Sequence, residues 1–256
     1  MRRENAMNQE PWLLYGLHAI REKLRAQAND VLEILVAQES GANAVRELCD
    51  EAKKRGVRST VVRRAFLDRL AQGQRHQGAV AKIKPFEYSG MDDLFEAVAA
   101  SDWSGSIVAL DGVTDPHNFG AILRTAEAVG VKHIVIPKDR SVEVTPVVSK
   151  TSAGAVHHLK IHKATNLRRA MDGLKERGFW TVGLSVGVAE SIFDRVYPAK
   201  LCLVLGSEGD GIRTLIRQEC DFLVSIPMLG RVASLNVSVA AAVFLYEVMR
   251  QRQARS

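Results

Sequence analysis

Cysteine is scarce: the 256-residue chain holds Cys49, Cys202 and Cys220, far apart and with no C-x-x-C pair. That argues against a disulfide framework and against a cysteine zinc site, and it suits a reducing compartment. Long apolar runs are also missing. The most apolar late stretch, 237–246, is interrupted by Ser238 and falls well short of the roughly 20 residues that a bilayer-spanning helix needs. The opening MRRENAMNQEP lacks the apolar segment of a secretory signal. No G-x-x-x-x-G-K-[ST] phosphate loop occurs. A soluble, cytoplasmic protein without membrane partners is the expectation.

What is present is an ordinary globular composition, 46% hydrophobic and 25% charged, which excludes a disordered, collagen-like or coiled-coil chain. Lys plus Arg number 35 against 29 Asp plus Glu, a net charge of +6. A basic surface of that kind suits a polyanionic partner. The charge is unevenly spread. Residues 91–104 carry Asp92, Asp93, Glu96 and Asp102 and no basic side chain, so 87–104 reads as an acidic linker, with a short helix over 92–100, between two basic halves.

In the first half, Leu13, Leu17, Ile20 and Leu24 recur at helical spacing and predict a helix over 12–27. Strands are expected over 31–37, 57–62 and 78–83, with helices around Val45–Ala52 and Phe66–Leu70. The second half repeats the alternation on a larger scale. Apolar strands at 107–110, 133–136, 180–184, 201–205 and 222–226 are separated by helices at 119–129, 167–177, 212–218 and 236–251. Such a pattern predicts a parallel sheet covered on both faces. Ligands in these sheets bind beyond the carboxyl ends of the strands. Attention therefore falls on 111–120, 185–188, 206–211 and 227–236.

Three of those segments carry chemistry. In LDGVTDPHNFGAILR (110–124), Asp115-Pro116 turns the chain, Asn118 can cap the following helix, and Arg124 lies six positions on. In LVLGSEGDGIR (203–213), a buried strand enters a glycine-rich loop holding Glu208. Its order is G-x-x-G-x-G, which is not the dinucleotide fingerprint. In SLNVS (234–238), Ser234, Asn236 and Ser238 crowd the start of a small-residue helix. Each alone reads equally well as a capped helix or a tight turn. His157, His158 and His162 lack neighbouring cysteine or carboxylate partners and do not make a metal site.

Together, D-P-x-N-x-G…R (Asp115 to Arg124), G-x-E-G (Gly206 to Gly209) and S-L-N-V-S (Ser234 to Ser238) resemble the three motifs of the SpoU RNA ribose 2′-O-methyltransferases of the SPOUT superfamily. The first half, through Tyr15-Gly16-Leu17-His18-Ala19 and His76-Gln77-Gly78, is similar to the family's L30e-like substrate-binding domain. The resemblance implies an α/β fold: an L30e-like RNA-binding domain over 11–86, the linker, and a SPOUT catalytic domain over 105–256 with a deep trefoil knot. It implies S-adenosylmethionine as cofactor, bordered by Gly206, Ile226 and Leu235, with Met228 and Leu184 at its margin. It implies catalytic roles for Arg124, Asn118, Glu208, Ser234 and Asn236, a homodimer and no metal. Within the family the resemblance is to enzymes acting on a guanosine ribose in the peptidyl-transferase region of large-subunit rRNA. A tRNA ribose target and a non-catalytic ribosome-assembly factor are the alternatives. Candidate RNA contacts are Arg63, Arg64, Arg75, Lys82, Lys84 and Arg231.

Overall fold

Strands and helices follow one another in a computed structural model that describes residues 10–38, 43–100 and 103–255. Residues 1–9, on which the reading of the opening segment rests, lie outside the described residues, as does Asp102 of the acidic stretch. The chain begins β1 (Trp12–Tyr15), α1 (Leu17–Gln27), β2 (Val31–Ala37), α2 (Asn43–Lys54), β3 (Ser59–Val62), α3 (Arg64–Ala71), β4 (Ala79–Ile83) and α4 (Met91–Ala97). It continues β5 (Gly105–Asp111), α5 (Pro116–Ala128), β6 (His133–Pro137), α6 (Pro146–Thr151), β7 (Lys160–Ala164) and α7 (Leu167–Lys175). The last elements are β8 (Trp180–Leu184), β9 (Lys200–Gly206), α8 (Thr214–Gln218), β10 (Phe222–Val224) and α9 (Val237–Gln253). Two compact units result: residues up to Glu87 together with Val144–His158, and Tyr88–Glu143 together with Leu159 onward.

The first unit is a four-stranded sheet in the order β1-β4-β2-β3, with β2 and β3 parallel and the other pairs antiparallel. Leu14, Ile34, Val36, Ala79 and Ala81 face Ile20, Leu24 and Leu48 on one side. Leu35, Val80 and Leu67 of α3 fill the other. The expected helix over 12–27 is corrected at its start. Trp12–Tyr15 pairs with β4, Leu14 against Ala81, and Gly16 at φ 91° turns the chain into α1. The spacing Leu13, Leu17, Ile20, Leu24 is helical by coincidence, because the strand sends Leu14 and not Leu13 into the core beneath α1. Helix α6, which the sequence pattern did not announce, packs on β1 in this unit, so Val144–His158 groups here although the expected boundary placed it in the second half.

The second unit is a six-stranded sheet, β10-β8-β9-β5-β6-β7, parallel throughout. Its central strand buries Ile107, Val108, Ala109 and Leu110 alike, as a doubly covered sheet requires. α5 buries Phe119, Ile122, Leu123 and Ala126 and packs against α9; each large apolar side chain so buried contributes about 1.5–3 kcal/mol. The acidic stretch is no free tether. Leu94 and Val98 are fully buried, and the Phe95 ring sits where a Cβ on Gly173 of α7 would lie 2.5 Å from it. Strand β7 was also unannounced, since Lys160-Ile-His-Lys-Ala is short and its adjacent polar residues, His162 and Lys163, break the alternation that marks a strand.

β7 carries one half of a buried histidine pair. His162 Nδ1–H donates to the Gly90 carbonyl (2.8 Å), which leaves Nε2 to accept from His133 Nδ1–H of β6 at 3.0 Å. Burial, and then the neighbouring imidazole, pulls His133 down to about 4; burial also lowers His162. Both rings are therefore neutral in the folded protein near pH 7. The unfolded chain takes up protons near pH 6.5 that the folded one refuses, so stability is whole above that pH and falls as pH drops toward 4. Urea titrations of the wild type should lose about 2 kcal/mol between pH 7.5 and 5 from His133 alone. His133→Asn, which keeps a donor for His162 and cannot titrate, should lose correspondingly less over the same interval.

Candidate active site at the carboxyl edge of the parallel sheet

β9 ends in a loop that folds back on its own strand. Ser207 N–H donates to the Gly211 carbonyl (3.0 Å) and Gly211 N–H to the Ser207 carbonyl (3.1 Å). A Cβ on Gly206 would stand 1.9 Å from the Gly211 carbonyl carbon and 2.1 Å from Ile212 N, so only glycine fits there. Beside Gly206 in the sheet lies Asp111, the last residue of β5. Its fully buried carboxylate accepts from Arg213 N–H at 2.9 Å and Arg213 Nε–H at 2.8 Å. That pair closes the loop onto the sheet. Sequence reading missed it; the available signal was an acidic residue ending a wholly apolar strand.

Three side chains from three segments meet at this edge. Glu208 Oε1 accepts from Asn118 Nδ2 (2.7 Å) and from Asn236 Nδ2 (2.6 Å), and Asn236 Nδ2 also donates to Asn118 Oδ1 (3.0 Å). Asn236 Oδ1 meanwhile accepts from the N–H and Oγ–H of Ser238, at 2.9 and 2.6 Å, and so caps α9. The expectation that Asn118 caps α5 is corrected. Asp115 is the N-cap and accepts from Asn118 N–H at 2.7 Å, with Pro116 following it. That cap leaves the Asn118 amide free to join the network. Among the described residues nothing bonds Glu208 Oε2, so one carboxylate oxygen faces outward as an acceptor.

The network borders a cavity of about 680 Å³. Its walls come from the ends of β8, β9 and β10 and from the start of α9. Gly206, Ile226, Leu235, Met228 and Leu184 all line it, as do Glu208, Ser234 and Asn236. Ser225 and Arg217 line it too, and sequence reading singled out neither. Asn118 joins through its bonds to Glu208 and Asn236. Arg124 is set apart: it is exposed on α5, is not part of the cavity wall, and makes no hydrogen bond or ion pair among the described residues. Arg231 is exposed on the segment between Met228 and Ala233, both of which line the cavity. Arg63, Arg64 and Arg75 are exposed in the first unit, whereas Lys82 pairs with Glu33 at 2.9 Å and Lys84 with Asp30 at 3.4 Å.

Thiol chemistry has no place here. Burial pushes Cys220 up to about 12 and Cys202 higher still, so neither is a thiolate near pH 7. Among the described residues no group of three or more His, Cys, Asp or Glu is placed to hold a metal, and none of their helices is long and apolar enough to cross a membrane.

A cavity of this size at the carboxyl edge of a doubly covered parallel sheet, walled by a glycine turn, defines an α/β enzyme built to hold a small organic ligand. Residues 105–246 match the SpoU rRNA methylase family, and residues 13–89 match the RNA 2′-O ribose methyltransferase substrate-binding family. The chain belongs to the SpoU family and is an RNA methyltransferase. It is 40% identical over 241 residues to the 23S rRNA (guanosine-2′-O-)-methyltransferase RlmB of Vibrio vulnificus, covering 94% of this chain and 97% of that one. It is 39% identical over 246 residues, 96% of this chain and 98% of the other, to YacO of Bacillus subtilis, assigned to the TrmH family of tRNA/rRNA methyltransferases. Among solved structures, the SpoU methyltransferase AviRb from Streptomyces viridochromogenes superposes with a TM-score of 0.79 at 23% identity, covering 99% of this chain and 94% of that one.

The loop geometry separates two glycines. Gly206→Ala should cost about 1–3 kcal/mol in urea denaturation, because its Cβ meets backbone that must shift. Gly209→Ala meets nothing within 4 Å and carries only its φ of +91°, so it should cost about 1 kcal/mol.

Proposed function

We propose that the protein transfers the methyl group of S-adenosylmethionine to the ribose 2′-hydroxyl of a guanosine in 23S rRNA, in the peptidyl-transferase region. The observation that carries this reading is the joining of Asn118, Glu208 and Asn236, one from each of the three motif segments, at the edge of the cavity. The 23S rRNA target is supported by the RlmB relatives at 40% identity. The cofactor is supported by SpoU structures solved in complex with AdoMet.

The cavity residues fit that cofactor. Its volume of about 680 Å³ lies within the range usual for small-molecule sites. Its walls expose glycine backbone over Gly206–Gly211 and apolar surface at Leu184, Leu205, Ile226 and Leu235. Glu208, Asp210 and Arg217 are among its lining residues, two carboxylates to one cation, a balance that suits a positively charged donor. When bound, S-adenosylmethionine supplies an electrophilic methyl group on a sulfonium. Gly206, Ile226, Leu235, Met228 and Leu184 hold it in this reading.

The chain's own residues then have to place a poor nucleophile and let its proton leave. Arg124 is exposed and unengaged among the described residues, so it is available to RNA. A guanidinium does not give up its proton in proteins. Arg124 therefore clamps the phosphate next to the target ribose and fixes the 2′-oxygen, while a phosphate oxygen or water takes the proton. Glu208 accepts from a ribose hydroxyl through its outward oxygen, held in place by Asn118. Ser234 and Asn236 shape the acceptor side.

The reading includes a homodimer. Arg124 stands outside the cavity wall of its own chain, and Val239 and Tyr246 of α9 are 47% and 48% exposed beside the small residues Ala240 and Ala242. A second copy packed there completes a composite site. It also includes a deep trefoil knot, a rare exception to unknotted topology. In support, Ser225 N–H donates to the Glu190 carbonyl at 2.8 Å and Ser225 Oγ–H to the Val188 carbonyl at 2.9 Å. Those bonds tie the segment leading to α9 into the loop after β8.

Site-specific detection of ribose methylation in total RNA, with and without the protein, should show one guanosine of 23S rRNA losing its methyl group in the protein's absence. A tRNA position responding instead, or no position, selects the alternatives. Arg124→Ala should lower kcat by about 100-fold or more while calorimetry shows S-adenosylmethionine binding unchanged. Arg124→Lys, which lacks the planar fork, should not restore the rate.

A further inference from the structure

We infer that the exposed face of α3 and the turn after it grip RNA, with Phe66 as a platform for an unpaired base and Arg63, Arg64, Arg69 and Arg75 as phosphate contacts. The identity of the partner rests on the RNA-methylating reading. α3 buries Leu67 and Ala71 beneath it and leaves the Phe66 ring 39% exposed. Arg69 stands three residues after Phe66, the spacing that puts side chains on one helical face, and Arg63 is the extended residue that opens the helix. The Arg69 guanidinium lies 6.0 Å from the ring centroid. All four arginines are exposed, and none makes a hydrogen bond or ion pair among the described residues.

Lys82 and Lys84 of the same unit differ. Lys82 is bonded to Glu33, which also accepts from Thr60, and Lys84 is paired with Asp30. Lys82 thus has a carboxylate of its own and Lys84 shares Asp30 with Lys23, whereas the four arginines have no carboxylate partner among the described residues. Asp68, the acidic residue of α3, bonds His76 at 2.9 Å, and His76 Nδ1 in turn accepts from Gly78 N–H at 3.2 Å. Gln77 Oε1 accepts from Leu17 N–H at 3.2 Å. The turn bearing Arg75 is thus fixed against its own unit.

A ring flanked by unpaired guanidinium groups matches single-stranded nucleic acid. Every base has a face to stack, and each phosphate neutralised by arginine releases counterions. These two contributions respond differently to salt, and that difference provides the test. Binding of a labelled 23S rRNA fragment to the full-length protein is followed by fluorescence anisotropy across a salt series. Phe66→Ala should weaken binding about tenfold with the slope of log K against log[salt] unchanged; Phe66→Trp should restore it. Arg63→Ala and Arg64→Ala should each reduce the slope by about 0.7–0.9.

Wild-type affinity in Phe66→Ala, or a wild-type salt slope in both Arg63→Ala and Arg64→Ala, overturns the proposal. Methylation of the same fragment is measured in parallel. A wild type that binds through Phe66 but transfers no methyl group leaves this surface standing and removes the catalytic reading. Methylation that is indifferent to Phe66 and to the arginines does the reverse.

Discussion

The site depends on the backbone crossing at Gly206. The end of β9 passes so close to Gly211 and Ile212 that no side chain can stand between them, and that contact turns a strand end into a closed loop. The loop presents Glu208 to two other segments and walls one side of the cavity. Asp111 then pins the loop from the neighbouring strand. Its carboxylate is fully buried, while the Arg213 side chain is half exposed. Such a pair adds little net stability, yet removing one partner strands the other, at a cost of several kcal/mol when the charge is buried. It is better regarded as a device for position than as a source of stability.

Position matters because methyl transfer to a sugar hydroxyl asks little of acid–base groups and much of alignment. The cavity lining holds no thiolate, and its cation, Arg217, keeps its proton. What it offers is a rigid set of acceptors and amides. Glu208, Asn118 and Asn236 hold one another by short hydrogen bonds, so little reorganisation remains when a ligand arrives. Charge-assisted bonds of this kind are stronger than neutral ones, which suits a junction between segments far apart in the chain.

The buried histidines show the same economy in a purely structural role. His133 and His162 each satisfy the other's polar atoms and the Gly90 carbonyl, so β7 and the segment entering α4 are joined without a buried charge. Burial keeps them neutral. The acidic stretch before β5 is drawn into the second unit by the same segment and by Phe95 against Gly173. Its acidic composition described its surface, and its apolar residues determined its place.

Much was legible in the sequence because it obeys local rules. The apolar run Ile107–Leu110 announced a strand buried on both faces, and the glycine-rich turn and the asparagines announced polar chemistry at strand ends. Local rules failed where two periods coincide, as at Leu13 to Leu24, and where a strand is short and half polar, as at 160–164. The sequence alone determined which residue types are available, the alternation that makes a parallel sheet, and the motif chemistry. Tertiary structure alone decided that Asn118, Glu208 and Asn236, separated by 90 and 28 residues, share one junction. It also decided that Asp111 meets Arg213 across 102 residues, and that Lys82 meets Glu33 across the first sheet. The reason is physical: periodicity reports which face of an element is buried, but pairings between distant side chains follow from how the sheet orders its strands.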